Sequence, residues 1–319
     1  MQSRLIISVV GILVCHSYFG IFQEKITRGR YGEQMNEDDN VGERFTCILT
    51  LVAVECIFNW ILANLLIITQ PNHKFDNETP HGMYALCAIS NLISMVCSNM
   101  SLRWVSYPFQ VVTKSAKPIP IMLLGVLIGR KSYPLRKYFY TLMIVIGVAM
   151  FMYKSEKARG IDTTSTYFGQ FLIFFSLFMN GITGVIQDKI RIYGQPSAPY
   201  MMMSINKWSS IFLTALVFVT GEWRDFITFT TSHPEIFKDL ILLASLNAFG
   251  QFFIFMMISS FGSFSCSIVT TVRKFFAVLF SLMVYDNSLS RQQWCGTILV
   301  FTGLFVDILF KQGKNIKGL

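Results

Sequence analysis

Long apolar runs separated by short polar connections are the first feature of this 319-residue chain. A bilayer core takes about 20 predominantly apolar residues per helix. Ten segments meet that length: 5–24, 45–69, 82–104, 107–129, 135–153, 167–187, 200–220, 237–260, 263–285 and 292–311. The pattern predicts an all-α integral membrane protein of ten transmembrane helices, whose connections leave no room for a separate soluble domain. The first run, Leu5 to Phe22, lacks a small-residue cleavage site and continues into Gln23, Glu24 and Lys25, so it is expected as a retained span. The longest polar stretch, Thr27 to Arg44, is acidic around Glu37, Asp38 and Asp39 and is expected as a solvated loop.

The pattern also repeats. Val111–Lys154 slides onto Ile268–Lys311 without a gap, matching Val112 to Val269, Thr113 to Thr270, Lys117 to Lys274 and Lys154 to Lys311. Identity is low, but both stretches share a basic residue early in a span, an apolar run, a polar turn, a second span and a final Lys. The chain therefore divides into two five-helix repeats, 1–154 and 155–319, expected to form one transmembrane domain. An odd number of spans per repeat inverts the second half in the membrane, a common transporter architecture.

Ten spans place both termini on one side, expected to be the cytosol. Lys and Arg are divided almost evenly between the two sides, so the positive-inside rule gives little guidance. Local support comes from Arg130, Lys131, Arg136 and Lys137 in one short connection, and from Lys311, Lys314 and Lys317 in the tail. Asn77, Glu78 and Thr79 form a glycosylation sequon, weakened by Pro80, on the side assigned to the cytosol; glycan there would overturn the topology.

Composition agrees with the pattern. Hydrophobic residues make up 53% of the chain and charged residues only 14%, against roughly a quarter charged in soluble domains. The net charge of +9 is scattered through short connections with no basic run, so no nucleic-acid partner is implied. Cys15, Cys47, Cys56, Cys87, Cys97, Cys266 and Cys295 include no C-x-x-C pair and read as packing residues, implying neither a disulfide framework nor a metal. No cofactor is expected.

Charges inside the apolar runs carry the functional signal. Residues three or four apart share a helix face, so Gln110, Lys114 and Lys117 form one polar stripe in the fourth span. Thr270, Thr271 and Lys274 form another in the ninth, with Arg273 beside it. A Lys or Arg at mid-bilayer costs about 2.5–3.5 kcal/mol, and four together cost on the order of 10 kcal/mol. No local acid offsets them; the nearest intramembrane acids are Glu24, Glu55, Asp188 and Asp307. Snorkelling, or pairing with those acids, is the bland alternative to a water-filled cavity that receives an anion. Pro108, Pro118 and Pro120 remove backbone donors in the same span, which membranes tolerate where helices bend or freed carbonyls find partners.

Charge also sizes the ligand. Near neutral pH a UDP-sugar carries about two negative charges, ADP about three and ATP about four. Lys114, Lys117 and Lys274, helped by Arg273, suit a nucleoside di- or triphosphate better than a neutral sugar. A membrane-embedded enzyme is disfavoured, because His16, His73, His81 and His233 form no cluster and no span carries paired carboxylates. A receptor or scaffold would leave the intramembrane lysines without a purpose.

Four stretches resemble the nucleotide-sugar transporter family of the drug/metabolite transporter superfamily: GIFQEKITRG at 20–29, KSAKPIP at 114–120, GQFFIF at 250–255 and TTVRKFF at 270–276. The resemblance covers nearly the whole chain. It implies a ten-helix inverted-repeat fold, alternating access, and an endoplasmic-reticulum carrier that exchanges ATP for ADP, with UDP-sugars as the other substrate class. It further implies that Lys114, Lys117 and Lys274 contact phosphates, that Gln110, Gln251 and Arg273 line the cavity, and that Glu24 gates or couples. The tail departs from the family's di-lysine retrieval signal, since Lys314 and Lys317 stand sixth and third from the end. Endoplasmic-reticulum residence therefore rests on the resemblance, and the sequence leaves the oligomeric state open.

Overall fold

The structure is a computed structural model that describes residues 2–31, 43–69, 79–101, 104–105, 110, 113–157, 167–284, 291–292 and 294–303. Its helices are α1 (Gln2–Arg28), α2 (Ile48–Thr69), α3 (His81–Ser101), α4 (Pro118–Leu127), α5 (Leu135–Lys157), α6 (Tyr167–Tyr193), α7 (Ala198–Thr220), α8 (Glu222–Ser232), α9 (Ile236–Phe261) and α10 (Ser263–Val284), followed by α11 (Trp294–Gly303). Among the described residues the only strands are the two-residue β1 (Arg30–Tyr31) and β2 (Glu43–Arg44), an antiparallel pair with Tyr31 opposite Glu43. The two ends of the expected Thr27–Arg44 loop are thus joined by this strand pair, while Glu37, Asp38 and Asp39 lie outside the described residues, as does Asn77 of the sequon.

Among the described residues, six helices are long and apolar enough to cross a bilayer: Ser3–Thr27 within α1, then α2, α3, α6, α7 and α9. Many of their large apolar side chains remain open, among them Ile21, Leu65, Leu86, Phe171, Phe174 and Val219, as lipid contact requires. The protein is a multi-pass membrane protein built almost wholly of helices. The segments expected at 135–153 and 263–285 are found as α5 and α10, and α11 covers part of 292–311.

The segment expected as one continuous span, 107–129, is broken. Helical residues at Thr113–Ser115 give way to a turn at Ala116–Lys117, and α4 begins at Pro118. The turn closes by i→i−3 bonds: Ala116 N donates to Thr113 O at 3.0 Å, Lys117 N to Lys114 O at 3.4 Å and Ile119 N to Ala116 O at 2.9 Å. The cause is chemical, because Pro118 and Pro120 have no N–H to give the carbonyls of Lys114 and Ala116.

The chain divides into two compact units, one of residues 1–89 and 190–260, the other of 90–189 and 261–319. Each takes residues from both halves of the sequence. The first is centred on a cluster of Ile26, Phe45, Cys47, Leu51, Phe229, Ile236, Leu240 and Leu243, against which Tyr31 of β1 packs. Burial and the nearby Asp239 carboxylate push the Tyr31 phenol up from its ordinary range. Within this unit Glu222 of α8 accepts from Thr50 N (2.9 Å) and Oγ1 (3.1 Å), closing the start of α2. The second is centred on Ile121, Met122, Ile144, Val148, Phe151, Phe264, Ile268, Val272, Phe275 and Val300.

Candidate substrate-binding site

The second unit holds the break in the fourth span, and its neighbours fix that break in place. Gly181 and Gly184 of α6 sit directly against α4: a Cβ at Gly181 would lie 2.7 Å from Leu124 Cδ1 and 3.0 Å from Pro120 O. Small residues permit this close backbone approach without water between the helices. Over Ser176–Thr183, α6 is also tied to α3 by a ladder of small polar groups. Ser94 Oγ donates to Ser176 O (2.8 Å), Ser176 Oγ to Ser94 O (2.7 Å), and the Ser90 and Thr183 hydroxyls meet at 2.8 Å. One helical turn on, Ser98 accepts from Gln110 Nε2 at its carbonyl (2.5 Å) and at its hydroxyl (3.1 Å).

Lys114 and Lys117 sit at the break itself, both half-buried. In an i→i−3 turn, side chains three apart eclipse one another, so the two ammonium groups are close enough to repel electrostatically. Lys117 also lies within electrostatic range of the buried Cys266 thiol on α10. Neither lysine's ammonium group makes a hydrogen bond or an ion pair among the described residues. Thr271 of α10, fully buried, reaches Ser115 O at 3.5 Å, which docks the turn against that helix.

The other expected site residues are distributed as follows. Gln110 is buried and its amide holds Ser98, so it positions the segment through α3. Thr270 donates to Ser267 O at 3.0 Å, and Arg273 is half-buried on the same helix. Lys274 belongs to α10 and Glu24 to α1, with side chains outside the described residues, and Gln251 is half-buried on α9 in the first unit. Of the acids considered as partners for the lysines, Asp307 lies outside the described residues, Glu55 accepts only from the Asn247 amide among the described residues, and Asp188 pairs with Lys131.

Asp188 is visible in the sequence as an intramembrane acid, but its partners, Ser263 and Lys131, are not. Its carboxylate accepts from Ser263 N (2.9 Å) and Ser263 Oγ (2.7 Å), closing the start of α10 just after Gly262 at φ 88°, and it binds Lys131 Nζ at 2.5 Å. Lys131 therefore belongs to an ion pair, not to a loose basic cluster. Its loop is further held by Tyr133, whose ring packs on Phe264 at 5.2 Å with Lys137 above it. Burial, with Asp188 nearby, pushes the Tyr133 phenol up to about 12, so it stays neutral over the physiological range.

Residues 4–311 match the model of the UAA transporter family. The chain belongs to the UAA transporter family. Among its relatives, the Drosophila melanogaster solute carrier family 35 member B1 homolog is 48% identical over 97% of this chain and 91% of the relative. Solute carrier family 35 member B1 of Rattus norvegicus is 45% identical over 98% and 95%, and that of Xenopus laevis 46% identical over 98% and 96%. A solved crystal structure shares the fold at a TM-score of 0.68 with 10% identity, covering 97% of this chain and 98% of the other. As a UAA family member the protein is a transporter and not an enzyme, and the paired lysines at a helix break are the natural place to look for its substrate.

Proposed function

We propose that this protein is an antiporter of the endoplasmic-reticulum membrane that brings ATP into the lumen in exchange for ADP. One observation carries the reading: Lys114 and Lys117 share one side of a proline-broken helix inside a membrane protein, and no described residue neutralises either. Lysines are compact point charges that bind phosphates in several poses, which suits a ligand that must also leave. Lys274, with Arg273 beside it, brings further positive charge from α10, while Gln110, Gln251, Thr270 and Thr271 line or brace the cavity and Glu24 acts at its gate.

The ten spans work as two inverted repeats, 1–154 and 155–319, that rock to open the cavity to alternate sides, with both termini in the cytosol. An empty cavity of like charges resists reorientation, and a loaded one does not. This coupling makes the carrier an obligate exchanger. Relatives named as solute carriers over nearly their full length support transport, and the endoplasmic-reticulum assignment follows the resemblance in the motifs at 20–29, 114–120, 250–255 and 270–276.

The test is uptake of labelled ATP, ADP, UDP-galactose and UDP-glucose into proteoliposomes preloaded with ADP or left empty, beside Lys117→Ala and Lys274→Ala. ATP uptake that requires internal ADP and collapses in both variants is the expected result. Uptake of UDP-sugars alone hands the same cavity to a nucleotide-sugar carrier, and robust uptake into empty vesicles sinks the exchange mechanism.

A further inference from the structure

The first unit contains a buried acid that the transport mechanism above does not use. Glu55 lies on α2, eight residues into an apolar span, and is 8% exposed. Its Oε2 accepts from Asn247 Nδ2 of α9 at 3.2 Å, and its Oε1, also buried, has no hydrogen-bond partner among the described residues. One turn further along the same face, Asn59 donates from Nδ2 to Asn206 Oδ1 of α7 at 3.2 Å, and its Oδ1 is likewise buried without a partner.

The amide orientations are not arbitrary. Asn206 Nδ2 donates to Met202 O at 2.8 Å, so its Oδ1 must face Asn59, and Asn59 must answer with its Nδ2. The oxygen of Asn59 is therefore the atom left over. Two oxygens one helical turn apart thus lack a donor among the described residues. If Asn247 were reversed, an amide oxygen would face Glu55 Oε2, and the acid would need a proton outright.

The charged and titratable groups on the surrounding elements do not supply one. Cys56 adjoins Glu55 on α2, and Lys207 of α7 is exposed. Glu222 is bonded to Thr50 at the start of α2, with Arg224 and Asp225 beside it on α8. On α9, Lys238 and Asp239 stand a further eight to nine residues from Asn247, about 12 Å along the helix, and Asp239 pairs with Lys25 at 2.8 Å. His16 of α1 packs over Gly250. None forms an ion pair with Glu55 among the described residues. An ionised carboxylate with one donor and no counter-charge is far costlier to bury than a neutral acid.

We infer that Glu55 is a proton-binding site inside the membrane, where one bound proton lets Oε1 donate to Asn59 Oδ1 and satisfies both orphaned oxygens. The proton joins two separate amide pairs, Glu55–Asn247 and Asn59–Asn206, into one network across α2, α7 and α9. Opening of this unit to water removes the reason to hold the proton, so the site senses both pH and conformation. None of these four residues belongs to the solute site proposed above, so the proton site stands whichever solute the carrier moves.

Dicyclohexylcarbodiimide adds to protonated carboxyls in apolar surroundings, and peptide mass spectrometry locates the adduct. In the full-length protein in liposomes, Glu55 should be labelled at pH 7, the adduct should fall at least tenfold by pH 10, and exchange of choline chloride for sodium chloride should leave it unchanged. Absence of label on Glu55 while another acid of the chain is labelled overturns the inference. So does protection by sodium but not choline, which would mean that a metal cation holds an ionised carboxylate. Glu55→Gln, a neutral mimic of the loaded acid, supplies a second readout. Between pH 7 and pH 10 wild type should lose thermal stability relative to this variant, since the folded state then holds a proton that the unfolded chain does not; parallel pH profiles of the two proteins count against the site.

Discussion

Glu55 and Asp188 are both acids buried inside helices, at 8% and 3% exposure, and their surroundings answer the same problem in different ways. Asp188 is surrounded by donors: a backbone N–H, a hydroxyl and an ammonium group converge on its two oxygens. Glu55 meets one amide and keeps one oxygen unmatched. The first arrangement is a rigid clasp that joins the loop before α5 to the start of α10. The second is incomplete until something is bound. Lys114 and Lys117 repeat the second arrangement with opposite sign, in the same unit as the clasp. A buried charge that is fully matched holds a fold together, whereas an unmatched one marks a place where matter is exchanged.

The largest effect in this contrast should come from the unmatched pair. Replacing both Lys114 and Lys117 by Ala removes two charge-assisted contacts of about 1.5–3 kcal/mol each, so nucleotide uptake in proteoliposomes should fall about 100-fold or more, with unfolding in detergent little changed. Asp188→Ala should do the reverse. It strips the start of α10 and leaves Lys131 without its partner, at about 3 kcal/mol of stability, measured as a lower midpoint of thermal unfolding; an unchanged midpoint would show that the clasp holds nothing. Gly181→Val presses a branched side chain into Leu124 and the Pro120 carbonyl. Overpacking of this kind costs about 1–3 kcal/mol, and because it displaces α4 it should raise the KM for nucleotide as well. Lys131→Ala should cost less than Asp188→Ala, about 1 kcal/mol, because this lysine is partly solvated and Ser263 still serves Asp188. Smallest of all, Ser94→Ala removes one step of the α3–α6 ladder, worth about 0.6 kcal/mol in membrane proteins.

The sequence made some of this visible and hid the rest for physical reasons. Apolar runs reveal helices because lipid demands them, and six expected spans recur as helices able to cross. Pro118 and Pro120 announced a disturbance in the fourth span, since a missing N–H is a local property that can be read in place. The basic residues at 114 and 117 were legible for the same reason, as charge in a lipid-like run needs no partner to be noticed. What escaped was everything that depends on a partner far along the chain. Lys131 read as one of several loop cations until Asp188 was brought to it, and Gln110 read as part of the lysine stripe until Ser98 took its amide. The amphipathic helix α8 was hidden in a connection, because its eleven residues are too few and too polar to register as a span.

The position of each partner along the chain bears on how the protein is made. Lys131 precedes Asp188 in the sequence, so the clasp acid enters the membrane with its counter-charge already synthesised. Glu55 has no such provision, because Asn247 follows it by 192 residues. During synthesis α2 must wait, with its acid unmatched, until α7 and α9 have been inserted. A nascent chain that ends before Asn247 therefore carries Glu55 without the amide that meets it in the finished fold.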